Sequence, residues 1–213
     1  MLNNLIQKDF SISDFLETYG TEEQCRKLLF NLRWENGYIC PKCGSKKYCE
    51  LKSRNLYQCN NCHYQTSLTA DTIFSHSRLP FTTWFLAIFF ISKYNISSLE
   101  LSRELKISYN STWRLRHKLM QAMKNDAYNF ITIKNVYRSS SHNNISNQET
   151  QNKLAVKTPT GTKEQHINRY FSEFCFKFNR GNDVKLIIKH LIQYCVYTDP
   201  NPDSLLKLRD DNS

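Results

Sequence analysis

Two C-x2-C pairs, Cys40-Pro41-Lys42-Cys43 and Cys59-Asn60-Asn61-Cys62, lie fifteen residues apart and constrain this chain more than anything else in it. Two pairs at that spacing read as a zinc ribbon. Each is a tight knuckle with both thiolates turned toward one ion, and residues 46–58 are long enough to form a hairpin that brings the knuckles together. Four sulfurs at about 2.3 Å close a tetrahedral shell with no open position. The expected cofactor is therefore structural zinc, held by Cys40, Cys43, Cys59 and Cys62. Gly44 follows the first knuckle, where a positive φ is often required.

The same cysteines admit two other readings. Cys59-Asn60-Asn61-Cys62-His63 matches the C-x-x-C-H haem attachment motif, and cysteines can also pair as disulfides. Both need an oxidising or exported setting, and Met1-Leu2-Asn3-Asn4-Leu5 opens without a basic start followed by an apolar core. The expected location is the cytoplasm. Cys25, Cys175 and Cys195 fall on apolar helix faces and read as buried thiols, and Cys49 reads as a hairpin residue.

At 213 residues the chain can hold one or two domains. Its longest apolar run, Trp84 to Ile91, is far short of a membrane span, so no membrane partner is expected. The net charge of +10 points to a polyanionic partner. That charge is unevenly spread. Residues 1–37 carry four basic and six acidic side chains, residues 38–80 six and two, and residues 81–124 seven and two. The positive surplus therefore centres on the ribbon and the segment after it.

Ahead of the ribbon, residues 9–37 read as a helical lead-in, with a capping box at Thr21-Glu22-Glu23-Gln24 and an end at Asn36-Gly37. After the second knuckle, Tyr64 to Phe74 reads as extended. Pro80 then opens a buried helix carrying Phe81, Trp84, Phe85, Ile88 and Phe89. A second capping box, Ser97-Ser98-Leu99-Glu100, starts a short helix to about Leu105. A break at Lys106-Ile107-Ser108 and a longer helix from Tyr109 to about Met123 complete a helix-turn-helix. On this last helix Thr112, Leu115, Leu119, Ala122 and Met123 form an apolar side. Asn110, Arg114, His117, Lys118 and Gln121 form an acid-free polar side. Arg pairs with guanine, Asn or Gln with adenine, and Lys with phosphate, so these residues and Ser111 are candidate contacts to double-stranded DNA. An ordinary solvent face is the alternative.

Together these residues resemble the N-terminal half of bacterial insertion-sequence transposases. The resemblance covers roughly residues 14–124: the cysteine run, Tyr64-Gln65-Thr66-Ser67-Leu68-Thr69-Ala70-Asp71-Thr72-Ile73-Phe74, Leu79-Pro80, Trp84-Phe85-Leu86-Ala87-Ile88, and Glu100 to Met123. It implies a zinc ribbon and a helix-turn-helix ahead of a DDE catalytic domain of RNase H-like fold. It also implies terminal inverted repeats as the DNA partner, a homo-oligomer as a possible state, and magnesium in an intact parent enzyme.

Past residue 124 the resemblance stops, then returns at His166 to Arg180, which is similar to the motif that closes the family's catalytic domain. A five-stranded RNase H-like sheet with its helices needs well over about a hundred residues, and only 124–165 lie between the two matches. Ser139 to Thr162 is rich in Ser, Asn, Gln and Thr and reads as a linker. In the tail, Ile167, Tyr170, Phe171, Phe174 and Phe178 share one helical face. Val184, Ile187, Ile188, Leu191 and Cys195 share another before Asp199-Pro200-Asn201-Pro202. These two helices could pack together, on the N-terminal half, or against another chain.

The expected fold is thus mainly α with a small β zinc ribbon. Its segments are a lead-in (1–37), the ribbon (38–78), the helix-turn-helix (79–124), a linker or catalytic remnant (125–165) and C-terminal amphipathic helices (166–213). Family catalysis needs three carboxylates holding two magnesium ions. Asp126 reads as the fraying end of a helix and Glu149 sits in a polar stretch, so no catalytic residue is carried over. The expected function is a DNA-binding transposase fragment that recognises element ends without the catalytic core. The alternatives are an active DDE transposase and a zinc-stabilised protein-interaction module.

Overall fold

A computed structural model of the chain describes residues 10–124, 126 and 164–200, the side chains of 164–168 excepted. Its described residues form seven α-helices and one three-stranded antiparallel sheet, so the protein is mainly α with a small ribbon. The linker read at 125–165 lies almost wholly outside the described residues, as does Glu149.

The lead-in is two helices, α1 (Ile12–Tyr19) and α2 (Glu22–Arg33), and each begins at a capping box. The Thr21 box forms as read from the sequence, with Gln24 N–H donating to Thr21 Oγ1 and Thr21 N–H to Gln24 Oε1. A further box at Ser11 and Asp14, not read from the sequence, starts α1. Such boxes satisfy backbone donors that a helix start leaves unpaired.

In the sheet, β1 (Tyr48–Leu51) pairs with β2 (Leu56–Cys59), and β2 with β3 (Gln65–Thr66). One sheet face turns to α2. There Phe30, Trp34, Tyr38, Tyr48 and Tyr57 pack ring against ring, with centroids 4.6 Å apart for Tyr38 and Tyr48 and 5.2 Å for Phe30 and Tyr57. This is how the lead-in supports a ribbon too small to build its own core.

The extended reading of Tyr64 to Phe74 holds only at Gln65–Thr66; the rest is a run of turns. Its Thr and Ser hydroxyls bond the local backbone instead of leaving it to a strand ladder: Thr72 Oγ1 and Ser75 Oγ both donate to Thr69 O, and Phe74 N–H donates to Thr72 Oγ1. Arg33 from α2 donates into the same segment, to Leu68 O at 3.3 Å and to Ala70 O.

Helix α3 (Phe81–Lys93) is the centre of the core, with Trp84, Phe85, Ile88, Phe89 and Ile91 at most 1% exposed. A helix apolar on all sides must be covered on all sides. Its N-cap, Pro80, has no side chain able to bond the first turn. The Glu22 carboxylate does so from the start of α2, accepting from Phe81 N–H and Thr82 N–H at 3.1 Å each.

The helix-turn-helix forms from α4 (Ser98–Leu105) and α5 (Tyr109–Lys124), with the Ser97 and Glu100 capping box in place. The sequence has no glycine in the turn. Lys106 takes the left-handed position at φ +53°.

Both tail helices, α6 (Glu164–Phe178) and α7 (Val184–Tyr197), pack on the N-terminal half. Helix α7 covers α3 through Ile187, Ile188, Leu191 and Cys195, the face read from the sequence. Its end is tied down by Ile73 N–H donating to Cys195 O (3.2 Å) and Tyr197 Oη donating to Leu32 O (2.8 Å).

Helix α6 turns only part of its apolar face inward, with Tyr170 buried. Phe178 is 60% exposed and Phe171 and Phe174 are half-buried, stacked along the solvent side, while Arg169, Glu173, Lys177 and Arg180 of α6 and the turn after it are buried. Periodicity groups residues onto a face, but the face turned inward carries Cys175 and Phe176 beside the charged groups. Glu173 accepts from Arg116 (3.1 Å) and Lys177 (2.9 Å), and Arg116 also donates to Ile96 O.

Asp126 is likewise not a frayed end. It is fully buried, paired with Arg180 at 2.7 Å, and accepts from Tyr194 Oη at 3.1 Å. Arg180 also donates to Phe176 O and to His190 Nδ1.

Removing one partner of a buried pair strands the other charge and costs about 3–5 kcal/mol. Asp126→Ala should therefore lower the urea midpoint by about that equivalent, whereas Glu104→Ala, at an exposed site on α4, should leave it within about 0.5 kcal/mol.

Burial works against the Glu173 charge, but Lys177 and Arg116 hold its carboxyl below the ordinary 4.5. A depressed carboxyl contributes stability that is present above its unfolded value and lost as pH falls through its folded value. Urea midpoints measured from pH 6 to 3 should fall on the acid side of 4.5, and Glu173→Gln should flatten that limb while lowering stability at neutral pH.

Candidate metal centre and nucleic-acid interface

The two knuckles share one backbone pattern. Cys40 N–H donates to Ser45 O, and Gly44 N–H donates back to Cys40 O. Cys59 N–H donates to Tyr64 O, and His63 N–H donates back to Cys59 O, all at 2.9–3.0 Å. Each closes through a left-handed residue, Gly44 at φ +71° as expected and His63 at φ +56°. This pattern aims both sulfurs of a pair the same way.

The four sulfurs lie within 4.8 Å of one another, with Cys40 and Cys62 at 3.6 Å and Cys43 and Cys59 at 3.6 Å. Tetrahedral zinc with bonds of about 2.3 Å spaces its sulfurs about 3.8 Å apart, so the set fits the ion. The local backbone prepares the charge. Cys62 and Asn61 N–H groups push the Cys59 thiol down to about 6 against burial. At Cys40 burial is outweighed by the N–H groups of Cys43 and Lys42, which hold its thiol below the ordinary range. Cys62 also has an N–H donor, from Tyr64, yet burial and its three sulfur neighbours push it up to about 12. Four thiolates so close repel, and a divalent cation removes that penalty. All four positions are saturated by sulfur, so the centre is structural.

Helix α5 places its candidate DNA contacts unequally. Asn110 and Arg114, one turn apart, are exposed, and Ser111 and Gln121 are half-buried. His117 and Lys118 are not on a solvent face, being 1% and 9% exposed. The Lys118 ammonium donates to Ile73 O and Ser75 O. The His117 ring stacks on Trp113 and meets Arg169 at 3.1 Å through Nδ1. His117 is covered by α6 through Arg169 and Tyr170, and Lys118 by the turn segment at Ile73 and Ser75; neither cover could be placed there from periodicity.

Residues 20–65 match the family model described as the transposase zinc-ribbon domain. The ribbon is thus similar to the zinc ribbons of transposases. Over 111 residues the chain is also 28% identical to a protein described as uncharacterised in the transposable element ISH50 of Halobacterium salinarum. That match takes in 51% of this chain and 38% of the relative, so the chain spans well under half of that protein's length. No solved structure matches. The chain is thus transposase-related, with a structural zinc site of Cys40, Cys43, Cys59 and Cys62. No helix among the described residues is long and apolar enough to cross a membrane.

The ribbon should carry one zinc per chain by metal analysis of protein purified under reducing conditions. Structural zinc contributes on the order of 10 kcal/mol. A chelator should therefore abolish the ring packing among Tyr38, Tyr48 and Tyr57, read by near-ultraviolet circular dichroism, and Cys59→Ser should reproduce its effect.

Proposed function

We propose that the chain binds duplex DNA at the terminal inverted repeats of an insertion sequence and does not cut it. The observation that carries this reading is the exposed start of α5, where Asn110 and Arg114 lie one turn apart on a helix whose own first turn carries no acid. In a helix-turn-helix the N-terminal residues of the second helix meet base edges, while the first helix crosses the backbone. Arg114 pairs with guanine, Asn110 with adenine, and Ser111 supports either. Arg103 on α4 and Lys106 in the turn are exposed and serve as phosphate contacts in this reading. His117 and Lys118 are given up as contacts because their polar groups serve the core.

The absence of cutting rests on space and on Asp126. A metal-binding sheet does not fit in the residues between α5 and α6, and without one, carboxylates lose the orientation that two-metal chemistry requires. Asp126, the first acid after α5 in the chain, has both oxygens engaged, one by Arg180 and the other by Tyr194.

Arg114→Ala should cost about 1–3 kcal/mol on the preferred site and relax its specificity. Lys106→Gly, which keeps the left-handed turn but removes the charge, should weaken all sequences alike. Affinity should fall steeply with salt. With end-containing DNA and magnesium or manganese the chain should give no product; nicking abolished by Glu149→Ala or Asp126→Asn would return it to the enzymes.

A further inference from the structure

The sheet has a second face that the core does not use. Strand alternation puts Tyr48 and Glu50 of β1 on the side of Tyr57, against α2, and puts Cys49 of β1 on the other side with Gln58. Gln58 is directly opposite Gln65 of β3, and the two amides bond across the strands, Gln65 Nε2 to Gln58 Oε1 at 2.7 Å. Cys49 and Gln65 are exposed and Gln58 is half-buried. By the same alternation Lys47 precedes them on this outward face, and it too is exposed. Glu50, the one carboxylate among residues 38–66, lies on the opposite face. At the end of the ribbon, the turn Lys52–Arg54 leaves Lys52 and Arg54 fully outward.

We propose that this outward face is a second DNA-reading surface, entering a major groove as a β-ribbon with the Gln58 and Gln65 amides on an adenine and Lys47, Lys52 and Arg54 on phosphates. It rests on the DNA-binding reading given above and extends it to a bipartite site. The major groove is wide enough for a β-ribbon as well as for a helix. The mutual bond of the two amides leaves one NH2 group and one carbonyl oxygen for a ligand, and still does so if both amides are flipped together. Adenine offers the matching acceptor at N7 and donor at N6. The zinc site is what makes the surface rigid: Cys59 ends the strand that carries Gln58, and Cys62 lies three residues before Gln65. A face that bears no acid of residues 38–66, with three cations at its edges, complements a phosphate backbone.

The test uses the full zinc-loaded chain. A preferred site is selected from random duplex DNA, and affinity is measured against salt for the wild type, Arg114→Ala, the triple variant Lys47→Ala/Lys52→Ala/Arg54→Ala, and the pair Gln58→Ala/Gln65→Ala. Zinc content equal to wild type certifies each fold. The triple variant should flatten the salt slope by about 2–3, near 0.9 for each phosphate left without its cation. The glutamine pair should keep the slope, lose roughly 5- to 100-fold on the selected site, and select a motif lacking one adenine position. A wild-type slope in the triple variant, or an unchanged motif in the glutamine pair, overturns the ribbon surface. The helix reading then stands if Arg114→Ala still weakens binding. Failure of the wild-type chain to bind any duplex overturns both.

Discussion

Like charges held close are tolerated only around a counter-ion, and four thiolates within 4.8 Å impose that condition on this chain. The ribbon hairpin has no apolar interior of its own; its inner face is an aromatic layer shared with α2. Helix α2 in turn caps α3 through Glu22 and holds the 67–70 turns through Arg33. The metal site therefore sits at one end of a chain of contacts reaching the helix at the centre of the core. Local pieces that would each be marginal alone become stable because each supplies what its neighbour lacks: a cation, a ring, a cap.

Around α6, buried ion pairs join the apolar packing of Phe176, Leu119 and Met123. Helix α6 meets α5 through Arg116, Glu173 and Lys177, and the turn after it holds Asp126 through Arg180. Such pairs do little for net stability compared with apolar residues of similar volume, but they penalise every misplaced register because a shifted charge is stranded. The Phe171, Phe174 and Phe178 rings on the outside of α6 follow from that choice.

How much could be read in advance divides along the same line. Where a signal is local, the sequence carried it. The cysteine spacing located the metal centre, Thr21 and Ser97 marked helix starts, and the apolar run from Trp84 located the buried helix. Lys106 broke the helix-turn-helix without a glycine because one left-handed residue costs only about 1–2 kcal/mol, which well-capped flanking helices offset. Where the answer depended on which distant surface arrives, it was not legible. Nothing within His117 and Lys118 distinguishes a groove-facing pair from one covered by α6 and by the turns at Ile73 and Ser75, and nothing near Asp126 announces Arg180 and Tyr194. The Gln58 and Gln65 pairing needed the strand register, which sequence alternation suggests but does not fix.

The position of α7 bears on how the chain is made. It covers a helix about a hundred residues before it, and its end reaches Leu32. A ribosome adding about 5–20 residues per second leaves α3 without that cover for roughly 5–20 seconds after α3 is synthesised. The ribbon has no such wait, since all its ligands fall within residues 40–62 and can take up metal once they emerge. The nascent chain thus carries an early, metal-locked head and a late-closing apolar body. During that interval it is the exposed α3 that a chaperone would find.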